Sequence, residues 1–460
     1  MKQIKIAVVP TRRGISSNRK GAFTVKDALT VKNSIWKFLH ARQDGIEYID
    51  INFLNDEGIL YDDSQAETVA NYLRERQVDG IFVVHCNFGC EEAVGRVCKL
   101  LKKPVFLWGP RDGAIAEDGS RSTDTQCGLF ASSRILKRYG VPFSYCENCH
   151  IEDTKFEERL EVFIGAVRVV CAFSTMRVGQ INARPKYFTS VMINESALLE
   201  CFGVEVIPLN IAMVMEEMSI VRNQESRMLE QRILDLEERM DCHETDKEKI
   251  EASVCLAMAL ERLVYTYHLS GLAIECWTLT QRMIGALPCL AIGELTDRGI
   301  PCSCETDVYG VIGSVLLHAA SGGEATFFGE YTMRDTANDN RELIWHCGNA
   351  PYSLKSSSLQ ARFIDGRMAF PLKTGPITIV RFDCDREHFC LFSDEATAVS
   401  GVFTSGTYLW AEMDDWKKWE YKFIEGPYIH HVSVAFGRYK AILRESCKYL
   451  PGLIFDYVSP

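Results

Sequence analysis

ATFFGEYTMRDTANDNRELIWHCGNAP, residues 325–351, reads as an apolar strand, a polar turn and a second apolar strand, with no helix between them. Glu330 and His346 interrupt the two apolar segments, which carry Phe327 and Phe328 on one side and Ile344 and Trp345 on the other. If the turn centres on Asn338, Glu330 lies directly across from His346 on one face of a hairpin. A carboxylate and an imidazole near a protein interior need a partner there, either each other or a shared cation. One residue of slip would move them to different faces.

The chain on either side of this hairpin has two different rhythms. Upstream, short β-branched or aromatic runs (IKIAVVP, IEYIDIN, DGIFVVH, KPVFLWG) alternate with helical stretches such as TVKDALTVKNSIWKFLHAR and AETVANYLRERQ. That alternation predicts parallel sheets covered by helices. It continues through GQINARPKYF, read as a loop, the strand VEVIPLN, a long charge-rich helical stretch over 212–268 with a solvated charged face, and the strand LAIECW. Downstream come GPITIVRF, HFCLFS, GTYLWAEM and YIHHVSVAF, strands without intervening helices. The expected fold is therefore α/β, with two N-terminal doubly wound α/β domains over 1–170 and 171–325. A mostly antiparallel β domain over 326–460 follows. Ligand loops at the carboxyl ends of the first strands would be 85–92 and 108–128. Neither carries GxGxxG or GxxxxGK[ST], so a nucleotide site is not supported.

Composition narrows the function. With 460 residues, 47% hydrophobic and 25% charged, the chain is an ordinary multidomain globular protein. A net charge of −11 disfavours nucleic acid as a partner. No apolar run is long enough to span a membrane, and MKQIKIAVVP has no signal-peptide pattern, so a cytoplasmic location is expected. The 18 cysteines then read as reduced thiols. Cys146-Glu-Asn-Cys149-His150 spells the haem-attachment string, but buried thiols are the better reading in a chain so rich in cysteine.

Glu305, in PCSCETDVYG (301–310), stands between a strand-like GIPCSC and a helix. The helix is marked by the stripe Val308, Val311, Ile312, Val315, Leu316 and Ala319. A carboxylate there is either a helix cap, favoured by the dipole, or part of a site. His430 and His431, adjacent in GPYIHHVSVAFG (426–437), should face opposite sides of a strand, so that only one joins a cluster. The apolar row of His430, Val432, Val434 and Phe436 should face the core, which leaves His431, Ser433 and Ala435 for a cavity.

The order Glu305, GGEATFFGEYT with Glu330, WHCGNAP with His346 and then HHVSVAFG resembles the L-fucose/L-arabinose isomerase family. DGIFVVHCNFG, KPVFLWG and GSRSTDTQCG resemble that family's first domain. The resemblance implies that Glu305, Glu330, His346 and His431 hold a divalent metal, with Mn²⁺ expected and Mg²⁺ or Co²⁺ as alternatives. It implies an aldose–ketose isomerisation of an open-chain sugar through a cis-enediol. One of Glu305 and Glu330 would take the C2 proton and the other would manage the hydroxyl proton. Glu at 330 follows the arabinose branch, whereas WHCGNAP departs from it, which marks a divergent member. The resemblance further implies a homo-oligomer, trimer or hexamer, whose neighbouring first domain closes the pocket. The 108–128 loop carries Trp108, Arg111 and Arg121, and Trp108, Arg121 and His430 are candidate substrate contacts. The competing readings are a metal-dependent hydrolase or lyase and a non-catalytic sugar-binding relative.

Overall fold

The structure, a computed structural model, describes residues 2–14, 23–386 and 388–458. The chain divides into two compact units, Met1–Arg168 and Val169–Pro460. The expected boundary at 325/326 falls inside the second unit.

In the first unit five parallel strands form a sheet in the order β2-β1-β3-β4-β5. They are β1 Lys5–Thr11, β2 Glu47–Ile49, β3 Gly80–His85, β4 Val105–Trp108 and β5 Ser144–Tyr145. β1, β3 and β4 are buried along nearly their whole length, as expected of strands covered by helices on both faces.

The second unit begins with a smaller parallel sheet of β6 Arg177–Ile181, β7 Glu205–Leu209, β8 Gly271–Ile274 and β9 Cys302–Cys304, ordered β7-β6-β8-β9. β6 runs through the start of GQINARPKYF, where a loop is expected from sequence. Its five residues lack a strong apolar run, and sheet pairing on both edges decides their conformation. The helical stretch over 212–268 is broken into helices Ile211–Gln224, Ser226–Arg239 and Lys247–Tyr267. Its charges also tie those helices together, through Arg222–Glu251, Arg232–Glu261 and Arg262–Glu217.

The rest of the chain forms a nine-stranded, mostly antiparallel sheet. Its strands are β10 Phe327–Arg334, β11 Arg341–His346, β12 Arg362–Ile364, β13 Arg367–Pro371, β14 Gly375–Asp385, β15 His388–Val399, β16 Thr407–Glu412, β17 His431–Phe436 and β18 Leu453–Asp456. Pairing of β15 with β16 closes β16-β11-β10-β17-β14-β15 into a barrel. Closure removes the exposed edges that six such strands would otherwise present. Helices Trp416–Glu425 and Lys440–Cys447 interrupt the strands, so the C-terminal part is not free of helices as the sequence suggested.

Helix Val308–Ala320 joins the small sheet to the barrel. Every one of its residues is buried, not only the expected stripe, because β8 and β9 pack on it together with β14 and β17. Ser314 Oγ lies 2.6 Å from Ser433 Oγ of β17 across this contact. The carboxyl end of β9 and the ends of β10, β11 and β17 are thereby brought to one place.

Candidate metal centre

Glu305 follows β9 directly, and its backbone is unusual. Glu305 and Thr306 have φ of +61° and +58°, a region that costs an L-residue about 1–3 kcal/mol and persists only where neighbours enforce it. Ser303 Oγ donates to the Asp307 carbonyl at 2.7 Å, and the Thr306 N–H donates to the Ile274 carbonyl at 3.2 Å. The turn buries the Glu305 carboxylate. Its Oε1 accepts from the Trp277 indole N–H at 3.0 Å, while its Oε2 is buried without a hydrogen-bond partner.

Trp277 is held in turn by Glu275. The Glu275 carboxylate accepts the backbone N–H groups of Trp277 (2.8 Å), Thr278 (2.6 Å), Leu279 (3.1 Å) and Thr280 (2.9 Å). Burial pulls the Glu275 pKa up, but the donors from Thr280 and Thr278 outweigh it and leave the pKa lowered.

His431 opens β17 opposite Glu330 of β10. Its ring is fully buried, with Nδ1 2.9 Å from Asp307 Oδ2 and Nε2 3.3 Å from Glu305 Oε2 and 3.9 Å from Glu330 Oε2. Because the Asp307 carboxylate accepts, Nδ1 donates, and Nε2 presents its lone pair toward the two glutamates when the ring is neutral. Burial lowers the His431 pKa, yet Asp307 and Glu305 win and raise it to about 9. Asp307 is anchored by Arg381, which is 1% exposed and also donates to Asp383 at 2.9 Å. Burial raises the Asp307 pKa, but the guanidinium and the His431 ring hold it well below the usual carboxylate range. Asp307 also caps helix Val308–Ala320, accepting the Gly310 N–H at 2.9 Å. The sequence reading missed this role, although the ETD string directly before a helical stripe was the signal for it.

Two register expectations are corrected. A bulge at Thr332, between Tyr331 and Met333, shifts the hairpin by one residue, so Glu330 pairs with Trp345 and not with His346. Beyond the bulge the pairs Met333–Leu343 and Arg334–Glu342 keep the expected register. His430 precedes the first residue of β17, so strand alternation does not turn it away. Its Nε2 lies 3.4 Å from Glu330 Oε2, and both histidines reach this carboxylate. Burial raises the Glu330 pKa, but the hydrogen bond with His430 and the nearby His346 and His431 rings lower it overall.

Among the described residues, Glu330, His430 and His431 offer ligand atoms within 4.8 Å of one another. Glu305 approaches through His431, and the His346 ring lies 6.4 Å from the His431 ring, centroid to centroid. His346 Nδ1 accepts the Cys347 N–H at 3.0 Å, and its Nε2 is buried without a partner. Trp108 and Arg121 belong to the first unit. Trp108 is buried among Phe82 and Phe156, and Arg121 is exposed and paired with Asp124 at 2.7 Å. Cys146 and Cys149 are buried free thiols 3.6 Å apart.

These groups fit a divalent cation. His346 Nε2 is buried without a partner, a rare condition costing about 1–3 kcal/mol, and Glu305 Oε2 and His431 Nε2 are buried facing each other at 3.3 Å without a hydrogen bond. Two ligand atoms side by side on a small divalent ion at about 2.1 Å are themselves about 3 Å apart, close to the His431–Glu305 separation. Carboxylate oxygens with imidazole suit Mn²⁺-like ions, and no helix among the described residues is long and apolar enough to cross a membrane.

The family described as "Fucose/sulfoquinovose isomerase, N-terminal domain" matches residues 14–174. A sulfoquinovose isomerase of Priestia megaterium is 24% identical over 354 residues, covering 74% of this chain and 77% of its own. One from Alkalicoccus urumqiensis is 24% identical over 317 residues, covering 66% of this chain and 69% of its own. A solved periplasmic solute-binding protein of an ABC transporter from Actinobacillus succinogenes 130z, with bound D-allose, shares 10% identity over 70% of this chain and 91% of that one. Its TM-score of 0.17 is too low to support any inference. Two parallel-sheet α/β regions and a closed C-terminal barrel accompany these matches, and the chain is similar to the fucose/sulfoquinovose isomerases, in its N-terminal domain by the family match and over about three quarters of its length by the Priestia megaterium relative.

Proposed function

We propose that the protein is an aldose–ketose isomerase that acts on an open-chain sugar through a cis-enediol, at a divalent cation held by Glu305, Glu330, His346 and His431. The observation that carries this reading is that Glu305, His346 and His431 each bury a ligand atom that has no hydrogen bond, beside a Glu330 carboxylate whose oxygen lies within 4.8 Å of the ring nitrogens of His430 and His431. Mn²⁺, or Mg²⁺ or Co²⁺ in its place, would supply Lewis-acid polarisation of the sugar carbonyl and the adjacent hydroxyl when bound.

The chain's own residues then divide the work. Asp307 holds the His431 tautomer, and Trp277 holds one oxygen of Glu305 so that the other faces the site. Glu305, pinned from both the backbone and the indole, is the fixed carboxylate. Glu330 has as its nearest partner a histidine that is itself 46% exposed, with His431 farther off at 3.9 Å, and it has the freedom to take a proton from C2 and return it to C1. Glu305 manages the hydroxyl proton. The relatives' names favour a sulfonated aldose as substrate, and a homo-oligomeric assembly, trimer or hexamer, accompanies the family reading.

The test is a Mn²⁺-supplemented screen of aldoses, including deoxy, branched and sulfonated ones, run in D₂O. Ketose formation with solvent deuterium at C1 supports the enediol route, whereas ketose without deuterium points to a hydride shift. Net hydrolysis or carbon–carbon cleavage would replace the reading by a hydrolase or lyase. A monomeric mass by light scattering, at full activity, would contradict the assembly.

A further inference from the structure

Four thiols adjoin residues of the candidate metal centre or one another, and none has a part in the chemistry above. Cys276, Cys289 and Cys304 are buried and Cys347 is half-buried, all as free cysteines. They pair closely: Cys304 Sγ is 3.1 Å from Cys276 Sγ, and Cys289 Sγ is 3.6 Å from Cys347 Sγ. Their places in the chain matter more than their number. Cys304 precedes Glu305, and Cys276 stands between Glu275, which caps the following loop, and Trp277, which donates to Glu305.

We propose that Cys276 and Cys304 form a reversible thiol–disulfide switch that acts on Glu305. This inference rests on the reading of Glu305 as a metal ligand. A disulfide needs about 2.05 Å between sulfurs, so the pair must close by about 1 Å. That motion draws the end of β8 toward the end of β9, where Glu305 and Thr306 already hold positive φ. Glu305 cannot follow without disturbing either its strained turn or the Trp277 hydrogen bond. Oxidation therefore misplaces one oxygen ligand, and reduction restores it.

The oxidant is a peroxide. The Cys276 sulfur attacks one peroxide oxygen, forming an S–O bond as the O–O bond breaks, and the departing hydroxide is protonated to water. The Cys304 sulfur then attacks the Cys276 sulfur, forming the S–S bond as the S–O bond breaks and releasing a second water. In total two thiols and one hydrogen peroxide give one disulfide and two waters. Cys276 is the entry point, since it is the less deeply buried thiol of the pair, 5% exposed against 0% for Cys304.

The experiment treats the full-length protein, stripped of metal, with stoichiometric hydrogen peroxide. It reads disulfides by peptide mapping and Mn²⁺ affinity by titration. The expected result is a Cys276–Cys304 linkage, Mn²⁺ affinity weakened by about tenfold or more, and recovery on adding dithiothreitol. Cys276→Ser should keep its Mn²⁺ affinity through peroxide treatment, and Cys289→Ser should respond as the unaltered chain does. A linkage elsewhere, an unchanged affinity once Cys276–Cys304 has formed, or an equal loss in Cys276→Ser would overturn the switch. Failure of the reduced, untreated protein to bind Mn²⁺ would instead remove the metal reading on which the switch depends, while the disulfide map would still report the linkage itself.

Discussion

The two glutamates of the candidate centre sit in opposite kinds of surroundings. Glu305 is 6% exposed, lies on a turn of positive φ and is tied to Trp277, while the neighbouring Asp307 is locked to His431 and Arg381. Glu330 stands on an extended strand beside a bulge, its side chain 23% exposed and its nearest partner the exposed His430. One half of the site is a fixed frame and the other a movable arm. A metal-dependent proton transfer needs both, because a tightly held carboxylate is a good ligand but a poor carrier of protons.

The largest effect should come from breaking the frame. Asp307→Ala leaves the buried Arg381 charge with Asp383 as its remaining partner and removes the anchor of His431. It should destabilise the protein by about 3–5 kcal/mol in urea denaturation and abolish Mn²⁺ binding. A loss below about 1 kcal/mol would show that Asp383 alone satisfies Arg381 and that the frame is loose. Next in size, His431→Ala should weaken Mn²⁺ binding by well over about a hundredfold, whereas His430→Ala should weaken it by about tenfold or less and lower turnover. The reverse order would place the exposed histidine in the frame and the buried one in the arm.

The frame also predicts a pH dependence. His431 is raised to about 9 by Asp307 and Glu305, and it must shed its proton to bind a cation. Mn²⁺ affinity should therefore rise by about tenfold per pH unit from about pH 7 toward pH 9 and then level off. Affinity that is flat over that window would mean that His431 is neutral in the metal-free protein.

The smallest effect lies on the barrel side. Glu342 of β11 is buried with an unpartnered Oε2, and burial raises its pKa to about 7 despite Arg334. The unfolded chain loses this proton near pH 4.3, so between there and about 7 the native state binds more protons and stability falls as pH rises. Glu342→Gln should remove this fall and gain roughly 1–3 kcal/mol at pH 8, with little change at pH 4. An equal effect at both pH values would mean that packing, not ionisation, sets the difference.

The α/β class and the change to antiparallel strands after residue 325 were legible because hydrophobic runs and their separation report local periodicity directly. β6 and the two helices within the C-terminal part were not, since their short segments take their conformation from tertiary pairing. The residue types of the site were visible in order along the chain, but their geometry was not. The bulge at Thr332 has no sequence signature that the flanking Tyr331 and Met333 reveal, and it moved Glu330 from His346 to Trp345. His430 was assigned by alternation to the far side, although the strand starts one residue later. Asp307 escaped notice because a cap and a histidine anchor look alike in sequence, and only the position of Arg381 on β14 distinguishes them.

The central claim is that the buried, unpartnered atoms of the frame bind a divalent cation, and calorimetric titration of chelator-stripped protein with Mn²⁺, alone and as Glu305→Gln, tests it most directly. One site per chain is expected in the unaltered protein, with a loss of at least about tenfold in affinity in the variant. No Mn²⁺ binding by the unaltered chain, or equal binding by both proteins, would contradict it.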